Sequence, residues 1–150
     1  MDIQTLLRSL RGHKVKFLVI GAWALPAHGY TRMTQDVDIF IEATEENASR
    51  TMKALVQVGY DIVRDTTAKT FLTKKVLLRE YVLRTDIHPF AKGITFKEAW
   101  ANKIQTQIKG VKIFVPSLDD MITMKEAAGR YQDMADLEAL KEIKRQKKRK

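Results

Sequence analysis

The chain has no cysteine, so no disulfide staples it and no His/Cys cluster with zinc-ligand spacing can be drawn. No Ser-centred nucleophile motif occurs either. No apolar run approaches the roughly 20 residues of a membrane span. The stretch from Met1 to Lys16 lacks the basic, apolar, small-residue order of a secretory signal, which makes cytoplasm the expected location. There is no internal repeat and no linker composition. At 150 residues such a chain can bury roughly two thirds of its unfolded surface without covalent help, and a single domain over residues 1–140 is expected.

Acidic residues are also in short supply: 18 Asp and Glu stand against 27 Lys and Arg, a net charge of +9. Six of those charges belong to the last ten residues, Lys141 to Lys150, which hold seven basic side chains and one Glu. A tail of that kind contacts nucleic acid through phosphate charge alone, or it is the solvated end of a helix, placed at the negative pole of its own dipole. Over the whole chain the balance is ordinary for a water-soluble fold, with 45% hydrophobic and 30% charged residues.

Hydrophobic spacing supplies the outline. Ile3, Leu6, Leu7 and Leu10 share a helical face that Gly12 ends. Phe17 to Ile20 reads as a buried strand, Trp23 to His28 as a short helical segment limited by Pro26, and Val37 to Ile41 as a second strand. Thr44 caps a helix over about 45–58, closed by Gly59. Residues 60–78 suggest one or two strands with loops, and Tyr81 to His88 another strand. Phe96 to Ile104 looks helical and Val111 to Val115 extended. Ser117 to Asp120 has capping-box spacing at the start of a helix, and a last helix runs from about Tyr131. Strands and helices interleave in one α+β (α/β) domain.

Within this outline, Asp36-Val37-Asp38 stands out. Residues two apart on a strand project to one side, so Asp36, Asp38 and Phe40 share one face while Val37, Ile39 and Ile41 share the other. Two converging carboxylates repel unless a cation lies between them, and a hard divalent ion with oxygen ligands is the natural occupant. Magnesium fits best, because it takes one or two carboxylates and completes its shell with phosphate oxygens. Ahead of the pair, the strand ending at Gly21-Ala22 turns sharply, an arrangement whose backbone N–H groups suit phosphate. Asp86 is the candidate third carboxylate for two-metal chemistry.

Gly21-Ala22 followed by His28-Gly29-Tyr30-x-Arg32-x-Thr34-x-Asp36-x-Asp38-Ile39 resembles the small nucleotidyltransferases of the DNA polymerase β superfamily, and most closely the abortive-infection and toxin–antitoxin type. Pro116 to Lys125, Ala128 to Arg130 and Asp133-x-x-Asp136-Leu137 are similar to the C-terminal segment of those proteins. The chain departs from the family turn at Ala22, where Gly or Ser is usual.

The resemblance implies a mixed sheet flanked by helices, with Mg2+, as one ion or two, on Asp36, Asp38 and Asp86. It implies transfer of a nucleotidyl group from a nucleoside triphosphate, ATP among them, to a hydroxyl of RNA, protein or a small molecule. An alternative is a binding module that keeps the scaffold without turnover. Gly21, Ala22, Arg32, Thr34 and Lys125 are the candidate nucleotide contacts. Arg32 could instead pair with Asp36 or a nearby Glu, and Arg130, Asp133 and Asp136 have the spacing of a helix-end ion pair and cap. His28 and His88 read as packing or hydrogen-bonding residues, and Trp23 as core.

Overall fold

In the computed structural model, which describes residues 1–149, helix α1 (Ile3–Gly12) starts at Asp2, whose carboxylate accepts from Thr5 N at 2.9 Å. Its Ile3, Leu6, Leu7 and Leu10 are buried, as their spacing requires. Strand β1 (Phe17–Ile20) leads into a 3-10 helix over Gly21–His28, and β2 (Asp36–Ile41) returns antiparallel to β1. Helix α2 (Glu45–Gln57) is capped by Thr44. Its buried Asn47 satisfies its amide on the strand ends, accepting from Lys16 N at 2.7 Å and donating to the Lys16 and Glu42 carbonyls at 2.9 Å each.

A 3-10 turn (Asp61–Asp65), helix α3 (Ala68–Thr73), strand β3 (Val76–Leu78) and strand β4 (Arg84–His88) follow. The sheet order is β1-β2-β4-β3, with β2 and β4 parallel and the outer pairs antiparallel. Helix α4 (Phe96–Ala101), the hairpin β5 (Ile104–Ile108) and β6 (Val111–Val115), α5 (Leu118–Ala128), a 3-10 turn (Tyr131–Asp133) and α6 (Met134–Lys148) complete the chain.

The mixed α+β class is as the sequence implies, but three boundaries differ. Residues 60–78 hold a 3-10 turn, α3 and only one three-residue strand, because the apolar side chains Val63, Phe71 and Leu78 anchor them singly in the core and no period-2 run forms. The strand expected over Tyr81 to His88 begins at Arg84; Tyr81 leaves the ladder to pack edge-on against Tyr60, centroids 4.8 Å apart. The helix expected over Phe96 to Ile104 stops at Ala101, since Ile104 opens β5 and pairs with Val115. The C-terminal basic segment is the second half of α6, Lys150 lying outside the described residues.

The two sheet faces are covered differently. On one, Phe17, Val19, Val37, Ile39, Ile41 and Ile87 form the main core with α1 and α2. On the other, Leu18, Ile20 and Phe40 meet Ala99, Phe96, Trp100 and Phe114 in a smaller aromatic cluster. Phe96 packs edge-on to Phe40 at 5.1 Å and stacks on Trp100 at 5.6 Å. That cluster covers the Phe40 end of the face, while Asp36 and Asp38, further along the same side of β2, keep partial exposure.

Candidate active site

Parallel pairing of β2 with β4 sets Asp36 opposite Arg84, Asp38 opposite Asp86 and Phe40 opposite His88. With period-2 alternation all six side chains lie on the same face. The site therefore follows from register: a one-residue slip of β4 would send Asp86 into the core and bring Ile87 out.

Each carboxylate has a basic side chain beside it. Asp86, buried, is held by Arg79 just beyond β3, with Nε donating to Oδ1 at 3.2 Å and Nη2 to Oδ2 at 2.8 Å. Asp38 Oδ1 lies 2.8 Å from His88 Nε2. Asp36 Oδ1 lies 3.3 Å from Arg84 Nε, yet the alignment is too poor for a hydrogen bond. Among the described residues these are the two buried side-chain polar atoms with no partner. Asp36 Oδ1 is thus an unsatisfied carboxylate oxygen on the face that carries Asp38 and Asp86, although Asp36 is not in the group whose ligand atoms converge. Donor atoms of Asp38, Asp86 and His88 lie within 4.8 Å of one another, a group able to hold a metal ion.

Gly21 closes the site from β1. Its φ is +68°, and a Cβ there would fall on Asp38 Oδ2 and stand 3.1 Å from Asp38 Cγ. Only glycine accepts both the left-handed backbone and that approach. The 3-10 helix it opens has no side-chain cap at its N-terminus, so its first N–H groups have no side-chain acceptor. Ala22 is buried in the main core. Thr34 acts on the backbone of Asp36, its Oγ1 accepting from Asp36 N at 3.2 Å and donating to Asp36 O at 3.3 Å.

The other two sequence candidates stand elsewhere. Arg32 forms a two-pronged pair with Asp136, Nε–Oδ1 at 2.8 Å and Nη2–Oδ2 at 2.9 Å, so its partner is neither Asp36 nor a Glu. Lys125 Nζ donates to Asp133 Oδ1 at 3.2 Å and Asp136 Oδ2 at 3.0 Å. Arg130 completes the group on Asp133 through Nε at 2.8 Å and Nη2 at 3.1 Å. Burial pushes the Asp133 and Asp136 carboxyls up, but hydrogen bonds from Arg130, Arg32 and Lys125 outweigh it and hold both below the ordinary carboxylate value. The network adjoins the site: the Arg130 guanidinium is kept protonated first by Asp133 and in smaller part by the field of Asp38.

Arg79 and Arg84 escape a reading by carboxylates alone. Arg84 and His88 could have been found, because Arg84-x-Asp86-x-His88 repeats on β4 the alternation of Asp36-x-Asp38-x-Phe40 on β2. Arg79 carries no such signal, lying in an irregular turn. His88 is the hydrogen-bonding residue its sequence setting suggests.

No curated protein matches the sequence. Among solved structures, the chain is similar to a lincosamide antibiotic adenylyltransferase, LnuA, in its lincomycin-bound crystal structure. The TM-score is 0.63 at 18% identity, covering 95% of this chain and 98% of that one, a likeness of fold. A family model described as "Nucleotidyltransferase of unknown function (DUF6036)" matches residues 1–146. One family thus accounts for nearly the whole chain, without marking it as of the abortive-infection or toxin–antitoxin type: the protein belongs to the nucleotidyltransferases, the class to which the Gly21 turn and Asp36-x-Asp38 pointed, and is an enzyme of that class.

Proposed function

We propose that the protein transfers a nucleotidyl group from a nucleoside triphosphate to an acceptor hydroxyl in a magnesium-dependent reaction, with Asp36, Asp38 and Asp86 as the metal ligands. The observation that carries this reading is the β2–β4 register, which sets Asp86 beside Asp38 with the unsatisfied Asp36 Oδ1 two residues along the same face. Carboxylate oxygens suit Mg2+, whereas imidazole suits softer ions. His88 is therefore assigned to orienting Asp38 rather than to ligation, although its position would serve Mn2+ or Zn2+ as well.

Bound there, the metal supplies Lewis-acid activation of the attacking hydroxyl and charge to steady the leaving pyrophosphate. The rest of the work falls to the chain. His88 Nε2, donating to Asp38 Oδ1, fixes the carboxylate orientation, as outer-sphere partners of metal ligands do. Thr34 fixes the backbone where Asp36 enters the strand. Gly21 lets β1 approach Asp38 without a side chain between, and the N–H groups that follow it, with no side-chain cap, are donors that would suit a phosphate. No covalent enzyme intermediate is needed; positioning and electrostatics suffice.

A small hydroxylated acceptor is favoured by the likeness to an enzyme that adenylylates an antibiotic. We place the reaction in the cytoplasm, where nucleoside triphosphates are supplied; among the described residues no helix is long and apolar enough to cross a membrane. The test is calorimetric titration with ATP, GTP, CTP and UTP, with and without Mg2+, beside the Asp36→Ala/Asp38→Ala double variant. Metal-dependent binding lost in a folded variant supports the proposal, and equal binding by both proteins rejects it.

A second reading is supported by Arg145, Lys147 and Lys148 in the last turn of α6. In it, this helix end binds nucleic acid, as the toxin–antitoxin resemblance would suit. Lys147→Glu/Lys148→Glu should then abolish salt-sensitive RNA binding; unchanged binding removes the helix end from consideration.

A further inference from the structure

We propose that Arg79 occupies two positions, holding Asp86 while the site lacks a metal ion and moving to the polyphosphate of the nucleotide when a divalent cation takes the Asp86 oxygens. This rests on the metal-site reading above. Arg79 engages both oxygens of Asp86, so Asp86 can ligate an ion only by giving up at least one of the two bonds. Asp38 is hydrogen-bonded through one oxygen and Asp36 Oδ1 through none, which leaves both able to ligate without such a rearrangement. The Asp86 side chain is 6% exposed and that of Arg79 44%. The guanidinium is thus the cover of an otherwise enclosed carboxylate, and the member of the pair with room to leave.

Its attachment permits the movement. Arg79 follows the edge strand β3, in the irregular stretch before β4 that also exposes Val82. Once a divalent cation neutralises the carboxylates, the attraction that holds Arg79 on Asp86 falls, while a polyphosphate beside the ion presents oxygens that suit a planar fork of donors. Arg79 thereby couples two binding events in opposite senses, competing with the metal alone and assisting the polyphosphate once the metal is bound.

The experiment measures Mn2+ binding to the full chain by electron paramagnetic resonance of the free ion, and then inorganic tripolyphosphate binding at saturating Mn2+ by calorimetry. Wild type, Arg79→Gln, Arg79→Lys and Lys75→Gln are compared, the last losing the same charge just ahead of β3. Arg79→Gln should bind Mn2+ at least about threefold more tightly, the modest size suiting a pair with one exposed partner, and tripolyphosphate at least about tenfold more weakly. Arg79→Lys, which loses the two-pronged bond but keeps the charge, should fall between on both counts and guards against a glutamine variant that does not fold. Lys75→Gln should leave both constants within about twofold, as screened surface charges do. Unchanged or weaker Mn2+ binding by a folded Arg79→Gln overturns the coupling and leaves the metal site standing. A wild-type chain that binds no Mn2+ overturns both.

Discussion

Two groups of carboxylates lie close together in this molecule and are treated in opposite ways. Asp133 and Asp136 are 3% and 1% exposed at their side chains, and between them they take up the donors of Arg32, Lys125 and Arg130. Both carboxylates there are fully engaged, by three cations between them, and the group joins the segment before β2 to the ends of α5 and α6. Asp36 and Asp38 are 40% and 24% exposed, each with one basic side chain beside it, and Asp36 Oδ1 has no hydrogen bond. A saturated buried network specifies structure, whereas a partly satisfied, accessible one is ready to bind something more. The cations of the first group therefore read as structural, although sequence spacing alone makes Arg32 and Lys125 as eligible for phosphate as any other basic residue.

Substitutions that strike one group and spare the other sharpen the contrast. Asp38→Ala should lower kcat/KM at least about 10³-fold, roughly 4 kcal/mol of transition-state stabilisation, while thermal unfolding moves by no more than about 1 kcal/mol; a labelled-nucleotide transfer assay and calorimetric melts report the two. Asp136→Ala reverses the pattern. Leaving Arg32 and Lys125 without their shared partner should cost about 3 kcal/mol of stability, read as a lower urea midpoint, with any lost turnover recovered under conditions where the variant is folded. If Asp136→Ala is fully stable but inactive, the division between the groups is wrong. Gly21→Ala should cost about 2 kcal/mol of stability through the left-handed backbone, read in the melts, and should lower activity as well, because the added methyl displaces Asp38.

The division also shows what could be read from sequence. Asp36 and Asp38 were legible because a strand has period 2 and charges on its open face need a reason. Asp86 was legible as a carboxylate on an expected strand, but its place beside Asp38 was not; what sets it there is the parallel register of β4 on β2, and no local spacing encodes which strand will lie beside which. The α1 stripe, the Thr44 cap and the Ser117 cap were legible because helix periodicity and capping are local. Strand β5 was not, since Ile104 to Ile108 has only Ile108 buried and draws its structure from pairing with β6. The partners of Arg32 and Lys125 were hidden for the same reason: Asp136 lies 104 residues from Arg32.

The smallest effect concerns His28, which ties the Gly21 turn to the start of α5 by a ring nitrogen 2.9 Å from the Pro116 carbonyl. Burial lowers its pKa from the ordinary 6.5, the bond to Pro116 opposing and the charge of Lys147 adding to the shift. The folded protein thus binds a proton less readily than the unfolded chain. Stability is complete above about pH 6.5 and declines as pH falls from there toward the folded value, with a slope of at most about 1.4 kcal/mol per pH unit. His28→Gln keeps a donor for the carbonyl and cannot titrate. Its stability should exceed that of wild type most at the acid end of the window, and the two curves should run parallel above pH 7. Because the two proteins differ at this one residue, the difference between the urea-unfolding curves isolates His28. A difference that does not change with pH would mean that the turn reaches α5 by packing alone, and that the link between the Gly21 turn and the helix bearing Lys125 is insensitive to pH.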